Sequence, residues 1–273
     1  MRPKTIVPAA PIFYHRRMKH AFRLSALALG AALAFLTCPA GAQDTNAPAP
    51  VTAVVTGNTA TNPVPRDPKW VERHEGFVKI AQAGGVDLLF LGDSITDFWR
   101  NRGSNVWNKY YGARHAANFG ISGDRTEHVL WRIDQGELDG IKPRVVVLMI
   151  GTNNTGKDKN GHPRNANTET IQGVQAVVAR IREKLPETKI LLLAIFPRGA
   201  FDNPQRAQVA LLNTVIAKLD DGDKVKFLDI GPKFLEADGT LPTSIMPDLL
   251  HPNARGYEIW ADAIEPTLAE MLK

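Results

Sequence analysis

Cysteine is almost missing from this chain of 273 residues: the one copy, Cys38, lies in an apolar stretch near the N-terminus. A single thiol closes no intramolecular disulfide and builds no Cys-based metal site. Acidic residues are missing from positions 1–42, which hold Arg2, Lys4, Arg16, Arg17, Lys19 and Arg23. Setting those six aside leaves 27 of the 33 Lys and Arg residues, against 28 Asp and Glu. The formal charge of +5 therefore belongs to the leader. It argues for no nucleic-acid partner of the remainder. Long apolar runs are lacking as well. Leu24–Leu36 is too short to span a bilayer comfortably, so no stable membrane anchor is expected.

What the leader does contain is the pattern of a secretory signal. Lys19, His20 and Arg23 form a basic start directly after Met18, Leu24–Leu36 is the apolar core, and Ala40-Gly41-Ala42 is a small-x-small cleavage site. Phe35-Leu36-Thr37 departs from the small residues that precede a lipidated cysteine. Cleavage after Ala42 leaves a chain without cysteine, and export without disulfides suits a bacterial periplasm or exterior. Three segments follow: a signal peptide over 1–42, a flexible linker rich in Ala, Thr, Pro and Asn over 43–66, and one folded domain over 67–273.

Within 67–273 the pattern alternates between strand and helix. Val86–Leu91, Ala116–Ile121, Val145–Ile150, Lys189–Ile195 and Val225–Ile230 read as strands, several of them buried on both faces. Asp67-Pro68 opens a helix carrying Trp70, Phe77 and Ile80, which Gly84-Gly85 ends. A helical stretch with Phe98, Trp99, Val106, Trp107 and Tyr110 follows the first strand. Asp124 and Glu127 have the spacing of a capping box, and Asn253 caps the last helix. Five strands alternating with helices predict an α/β fold: a parallel sheet with helices on both faces.

Polar clusters interrupt these apolar runs at corresponding places. Ser94, Gly123 and Asn153 each follow the carboxyl end of one of the first three strands, where open α/β sheets bind ligands. Asp248 and His251 precede the last helix. Together they meet the needs of acyl transfer. Ser94 is a nucleophile once His251 takes its proton, and Asp248, three residues earlier, orients the ring. Candidate oxyanion-hole donors are the backbone N–H groups of Ser94 and Gly123 and the side-chain amide of Asn153. Arg198, after the fourth strand, is a candidate substrate contact. Asp93 is an alternative acid but fits better as support for the turn, and Asn154 as a loop-positioning residue. His74 and His128 fit packing or surface roles on helices, and no residue grouping has metal-ligand spacing.

These blocks resemble the SGNH hydrolases, the wider GDSL esterase family. They read Gly92-Asp93-Ser94-Ile95, Gly123, Gly151-Thr152-Asn153-Asn154 and Asp248-x-x-His251. Within the family, the segments 118–124, 128–132, 136–138, 141–143 and 197–199 resemble the catalytic subunits of platelet-activating factor acetylhydrolase. The resemblance implies a flavodoxin-like three-layer α/β/α fold with a five-stranded parallel sheet. It also implies a Ser94–His251–Asp248 triad, an oxyanion hole of Ser94, Gly123 and Asn153, and no cofactor or metal. The resembling subunits form dimers, so a homodimer is one partner state it admits. Ile95 replaces the family-name Leu, Ser122 stands where the acetylhydrolases have Gly, and the polar loop 155–167 is longer than its counterpart.

The expectation is an exported serine esterase releasing short acyl groups, acetyl first, through an acyl-Ser94 intermediate. Its expected partner is a small-molecule ester, foremost an O-acetylated carbohydrate. A lysophospholipase or thioesterase is the alternative within acyl hydrolases. A non-catalytic carbohydrate-binding protein is the alternative from another class, and the intact nucleophile, base and acid weigh against it.

Overall fold

The computed structural model describes residues 57–273. The leader, its cleavage point and most of the linker lie outside the described residues. The strands are β1 (Leu88–Gly92), β2 (Ala116–Gly120), β3 (Val145–Met149), β4 (Lys189–Leu193) and β5 (Val225–Leu228). All neighbours pair in parallel, in the order β2-β1-β3-β4-β5. That is the flavodoxin-like order, whose ligand crevice opens where the chain reverses direction across the sheet, between β1 and β3.

The helices are α1 (Pro68–Ala83), α2 (Ser94–Asp97), α3 (Ser104–Tyr111), α4 (Thr126–Asp134), α5 (Asn167–Lys184), α6 (Pro204–Ile216) and α7 (Ala254–Met271). The central strand explains the layering. Every residue of β1 is buried, and its side chains alternate between two cores. Leu89 and Leu91 join α1, α4, α5 and α6 through residues such as Phe77, Val129, Val177 and Leu212. Leu88 and Phe90 join α3 and α7 through Tyr111, Trp260 and Ile264. Trp99 and Trp260 pack in this second core with ring centroids 5.0 Å apart.

The expected caps form at both ends of the domain: Asp67 accepts from Trp70 N–H at 3.2 Å and Asn253 from Gly256 N–H at 3.1 Å. Three expectations need correction. The helical stretch after Ser94 is broken into α2, a 3₁₀ turn at Phe98–Arg100 and α3. A Cβ at Gly103 would stand 2.7 Å from both Trp99 and Tyr257, so the break lets two aromatic rings close over the backbone. Asp124 and Glu127 form no capping box. Arg125 is the N-cap of α4, and its N–H donates to His128 Nδ1 at 3.0 Å. Finally, the C-terminal part of the expected linker is packed. Asn58 caps a 3₁₀ turn at Thr59–Thr61, Ala60 is fully buried, and its carbonyl accepts from Thr126 Oγ1 at 2.8 Å. Composition misses this because the anchoring depends on α4 and α5, far along the chain.

Candidate active site

Ser94 owes its position to β1. The strand runs to Gly92, where a Cβ would lie 2.4 Å from the Met149 carbonyl and 2.4 Å from Thr96 Oγ1. Only glycine allows that approach, and the chain turns at once into α2. Asp93 accepts from Ile95 N–H at 3.0 Å and caps α2. Its other oxygen has no hydrogen-bond partner among the described residues. Burial pushes the Asp93 carboxyl up to about 7; the Ile95 N–H opposes this, the charge of Asp124 adds to it, and that of Arg198 opposes it. Asp93 is thus the support for the turn that the sequence suggests.

Ser94 itself is 6% exposed. Its Oγ lies 2.8 Å from His251 Nε2, across 157 residues of chain. His251 Nδ1 lies 2.8 Å from Asp248 Oδ2. Asp248 Oδ1 accepts from the backbone N–H groups of His251 at 2.7 Å and Leu250 at 3.2 Å. This tight loop holds Leu249 at φ 54°, a left-handed conformation that is strained for leucine. Partial burial pushes the Asp248 carboxyl up. The His251 N–H and ring and the Leu250 N–H outweigh it, so the carboxyl stays below its usual range. An ionised Asp248 accepts from Nδ1–H and leaves Nε2 free to accept from Ser94.

Two further strand ends supply donors. Gly123, at φ 82°, is exposed, and its N–H makes no hydrogen bond among the described residues. Asn153 is half-buried, and Nδ2 donates to the Asp124 carbonyl at 2.9 Å. An amide nitrogen carries two hydrogens, so one remains for a ligand. Asn154 is fully buried. It accepts from Thr126 N–H at 3.1 Å and donates to Asn165 at 3.0 Å, which ties the loop after β3 to α4. Arg198 donates from Nη1 to both the carbonyl and the hydroxyl of Thr152 at 3.1 Å, so it bridges the ends of β3 and β4.

A buried ionic lattice beneath these residues escaped sequence reasoning. Arg132, fully buried on α4, donates to the Phe119 carbonyl at 2.9 Å and to Glu137, and its Nε lies 3.0 Å from Asp124 Oδ2. Asp124 also accepts from Trp70 Nε1 at 2.7 Å. Burial pushes this carboxyl above its usual range, against the charge of Arg132 and the bond from Trp70. On the other side of Gly123, Ser122 N–H and Oγ donate to Asp97 Oδ2 at 3.1 and 2.8 Å. Asp97 in turn pairs with Arg73 and Arg100. The Gly123 turn is therefore clamped from both ends. A polar residue on the buried face of α4 was the one available signal for Arg132. His74 is buried too, 3.2 Å from Glu137 and wedged against Trp131. Among the described residues no cluster of three or more His, Cys, Asp or Glu could hold a metal ion, and no helix is long and apolar enough to cross a membrane.

A serine, histidine and aspartate in a hydrogen-bonded row, at the carboxyl edge of a 2-1-3-4-5 parallel sheet, have the arrangement of a serine hydrolase. The chain belongs to the GDSL-like Lipase/Acylhydrolase family, whose match covers residues 90–259. Platelet-activating factor acetylhydrolase IB subunit alpha1 of Bos taurus is 34% identical over 221 residues, 79% of this chain and 91% of its own. Subunit alpha2 of Rattus norvegicus is 34% identical over 215 residues, 78% of this chain and 90% of its own. Among solved structures, a putative platelet activating factor from Streptococcus pneumonia shares the fold with a TM-score of 0.59 and 21% identity. It covers 72% of this chain and 92% of that one. An acetylxylan esterase from Geobacillus stearothermophilus shares it with a TM-score of 0.54 and 24% identity, covering 69% and 94%.

Proposed function

We propose that the protein is an exported serine esterase that removes acetyl groups from an O-acetylated carbohydrate. The observation that carries this reading is the row Ser94 Oγ–His251 Nε2–His251 Nδ1–Asp248 Oδ2, with both contacts at 2.8 Å. His251 takes the Ser94 proton as Oγ attacks the ester carbonyl. The resulting oxyanion is held by the N–H groups of Ser94 and Gly123 and the Asn153 amide. As the tetrahedral intermediate collapses, His251 protonates the leaving alcohol and acetyl-Ser94 remains. Water, deprotonated by the same imidazole, then attacks the acetyl carbonyl. Collapse of the second intermediate releases acetate and returns the proton to Ser94.

Two observations support acetyl as the acyl group. The relatives at 34% identity are named acetylhydrolases, and an acetylxylan esterase shares the fold. A lysophospholipase needs an apolar acyl channel at its serine. One apolar groove, lined by Ile195, Val209, Ala217 and Phe227, includes neither Ser94 nor His251. The cleft that reaches Gly123 is lined by charged side chains instead. Export rests on the leader pattern of residues 18–42.

A chain-length series tests the acyl preference. p-Nitrophenyl acetate is hydrolysed faster than the octanoate, and acetylated xylan releases acetate. A preference for octanoate would overturn the acetyl assignment and favour the lysophospholipase alternative.

A further inference from the structure

The cleft against Gly123 carries a concentration of positive charge that the ester chemistry does not use. Its walls are Arg66, Arg125, His128, Lys159 and Arg164, with Asp158 as the acidic member. Arg66 stands directly over the turn: a Cβ on Gly123 would lie 3.2 Å from its Nη1. That nitrogen donates to the Ser122 carbonyl at 2.7 Å. Arg164 donates from Nη1 to the Asn153 carbonyl at 3.1 Å. Two guanidinium groups are therefore fastened to the backbone at the oxyanion-hole candidates, one to the carbonyl of Ser122 just before Gly123 and one to that of Asn153.

The neutralising charges sit behind this wall. Arg66 pairs with Asp124 at 3.2 Å and Arg125 with Glu127 at 2.8 Å, and both carboxylates are buried. Among the described residues, Lys159 and Arg164 have no acidic partner within 4.0 Å. Asp158 spends one oxygen on the N–H groups of Asn160 and His162 at 2.8 and 2.9 Å. The imbalance is felt inside the cleft. Burial, and then the charges of Arg125, Arg66 and Arg132, push the His128 imidazole down to about 3, so it stays neutral in the wall. The field reaches Arg198, whose guanidinium is disfavoured by burial, favoured by Asp93 and disfavoured by Arg164.

We propose that this cleft binds an anionic group on the alcohol part of the ester, so that the preferred substrates are acetyl esters of acidic saccharides. The proposal rests on the serine-esterase reading. An acetyl group leaves no place for a charge on the acyl side, so an anion beside the oxyanion hole belongs to the leaving alcohol. Guanidinium forks suit carboxylate and sulfate oxygens, and a cleft of one sign raises the local concentration of an oppositely charged substrate. Two of the cations, Lys159 and Arg164, lie on the long polar loop after β3, and a third, Arg125, is the N-cap of α4.

The test compares three sugars acetylated at the same hydroxyl: glucose, glucuronate and glucose 6-sulfate, which differ at C6 alone. The protein hydrolyses an anionic member with kcat/KM at least about tenfold above that of glucose at low salt. The advantage lies in KM and shrinks at about 1 M salt, where the Debye length is about 3 Å. In the double variant Arg125→Gln, Lys159→Gln the ratio of anionic to neutral substrate moves toward one, and Arg125→Lys restores part of it. A preference for glucuronate alone assigns a carboxylate, and for the sulfate alone a sulfate. Hydrolysis of p-nitrophenyl acetate without discrimination among the sugars overturns the anion site and leaves the esterase intact. A salt-independent preference, read on the unaltered protein, overturns it as well. Failure to hydrolyse p-nitrophenyl acetate or any of the sugars overturns the esterase reading itself.

Discussion

Asn153 donates its side-chain amide to the backbone carbonyl of Asp124 at 2.9 Å. The bond joins the loop after β3 to the residue following Gly123, so two oxyanion-hole candidates are fixed relative to each other. It also orients the amide, with one hydrogen spent on Asp124 and the other free for substrate.

Asn153→Ala removes that donor and the tie together. The expected outcome is a loss of roughly 10²–10³ in kcat with KM nearly unchanged, because the missing bond forms to the transition state. Steady-state kinetics on p-nitrophenyl acetate check it. A rise in KM at unchanged kcat would assign Asn153 to substrate binding.

Asp248→Asn changes the partner of His251 Nδ1. Asp248 Oδ1 accepts two backbone N–H groups, so the amide oxygen of an asparagine takes that place and its NH₂ faces the ring. That arrangement favours the tautomer in which Nε2 carries the proton and cannot accept from Ser94. Asp248 is 46% exposed on its side chain, and water can stand in for part of its effect. The expected loss in kcat is about 10²-fold, at the lower end of the range for a positioned acid–base system.

Arg132 joins Asp124, Glu137 and the Phe119 carbonyl with its side chain entirely out of solvent. Arg132→Met leaves two buried carboxylates without their shared cation. Loss of one member of such a set costs about 3–5 kcal/mol. Urea unfolding monitored by tryptophan fluorescence measures it. A variant as stable as the parent would show that the lattice does not hold the Gly123 turn.

Asp93 makes stability depend on pH in an unusual direction for a carboxylate. Its pKa rises from an ordinary 3.8 to about 7 on folding, so between those values the folded state holds more protons than the unfolded one. The stabilisation is complete below about pH 4 and is lost as pH rises through about 7. Asp93→Asn keeps an acceptor for Ile95 N–H and carries no charge. Its melting temperature, compared with that of the parent, is expected to gain from about pH 4 to about pH 7 and to level off above that. An unchanged difference across that range would mean that Asp93 is ionised and solvated throughout.

Much of this site was legible in the sequence, and the limits have physical causes. The uninterrupted apolar run before Gly92 announced a strand buried on both faces, and the abrupt change to Gly-Asp-Ser placed Ser94 at its carboxyl end. The pair Asp248 and His251 was legible from local spacing, because a loop of three residues closes their contact without help from the rest of the fold. Asp124 was not legible. Three residues before Glu127 it has the spacing of a cap, and only the approach of Trp70, 54 residues earlier, and of Arg132 redirects its carboxylate. The cationic cleft was hidden for the same reason. Arg66, Arg125 and Arg164 are dispersed along the chain and meet only when the segment before α1, the start of α4 and the loop after β3 converge on Gly123. The formal charge conceals them further, since acidic residues elsewhere balance them.

The most direct measurement is the hydrolysis of p-nitrophenyl acetate by the purified protein and by Ser94→Ala side by side. Loss of activity in the variant, with the fold unchanged by circular dichroism, is the result expected of a Ser94 nucleophile. Turnover by Ser94→Ala at the rate of the unaltered protein would contradict it.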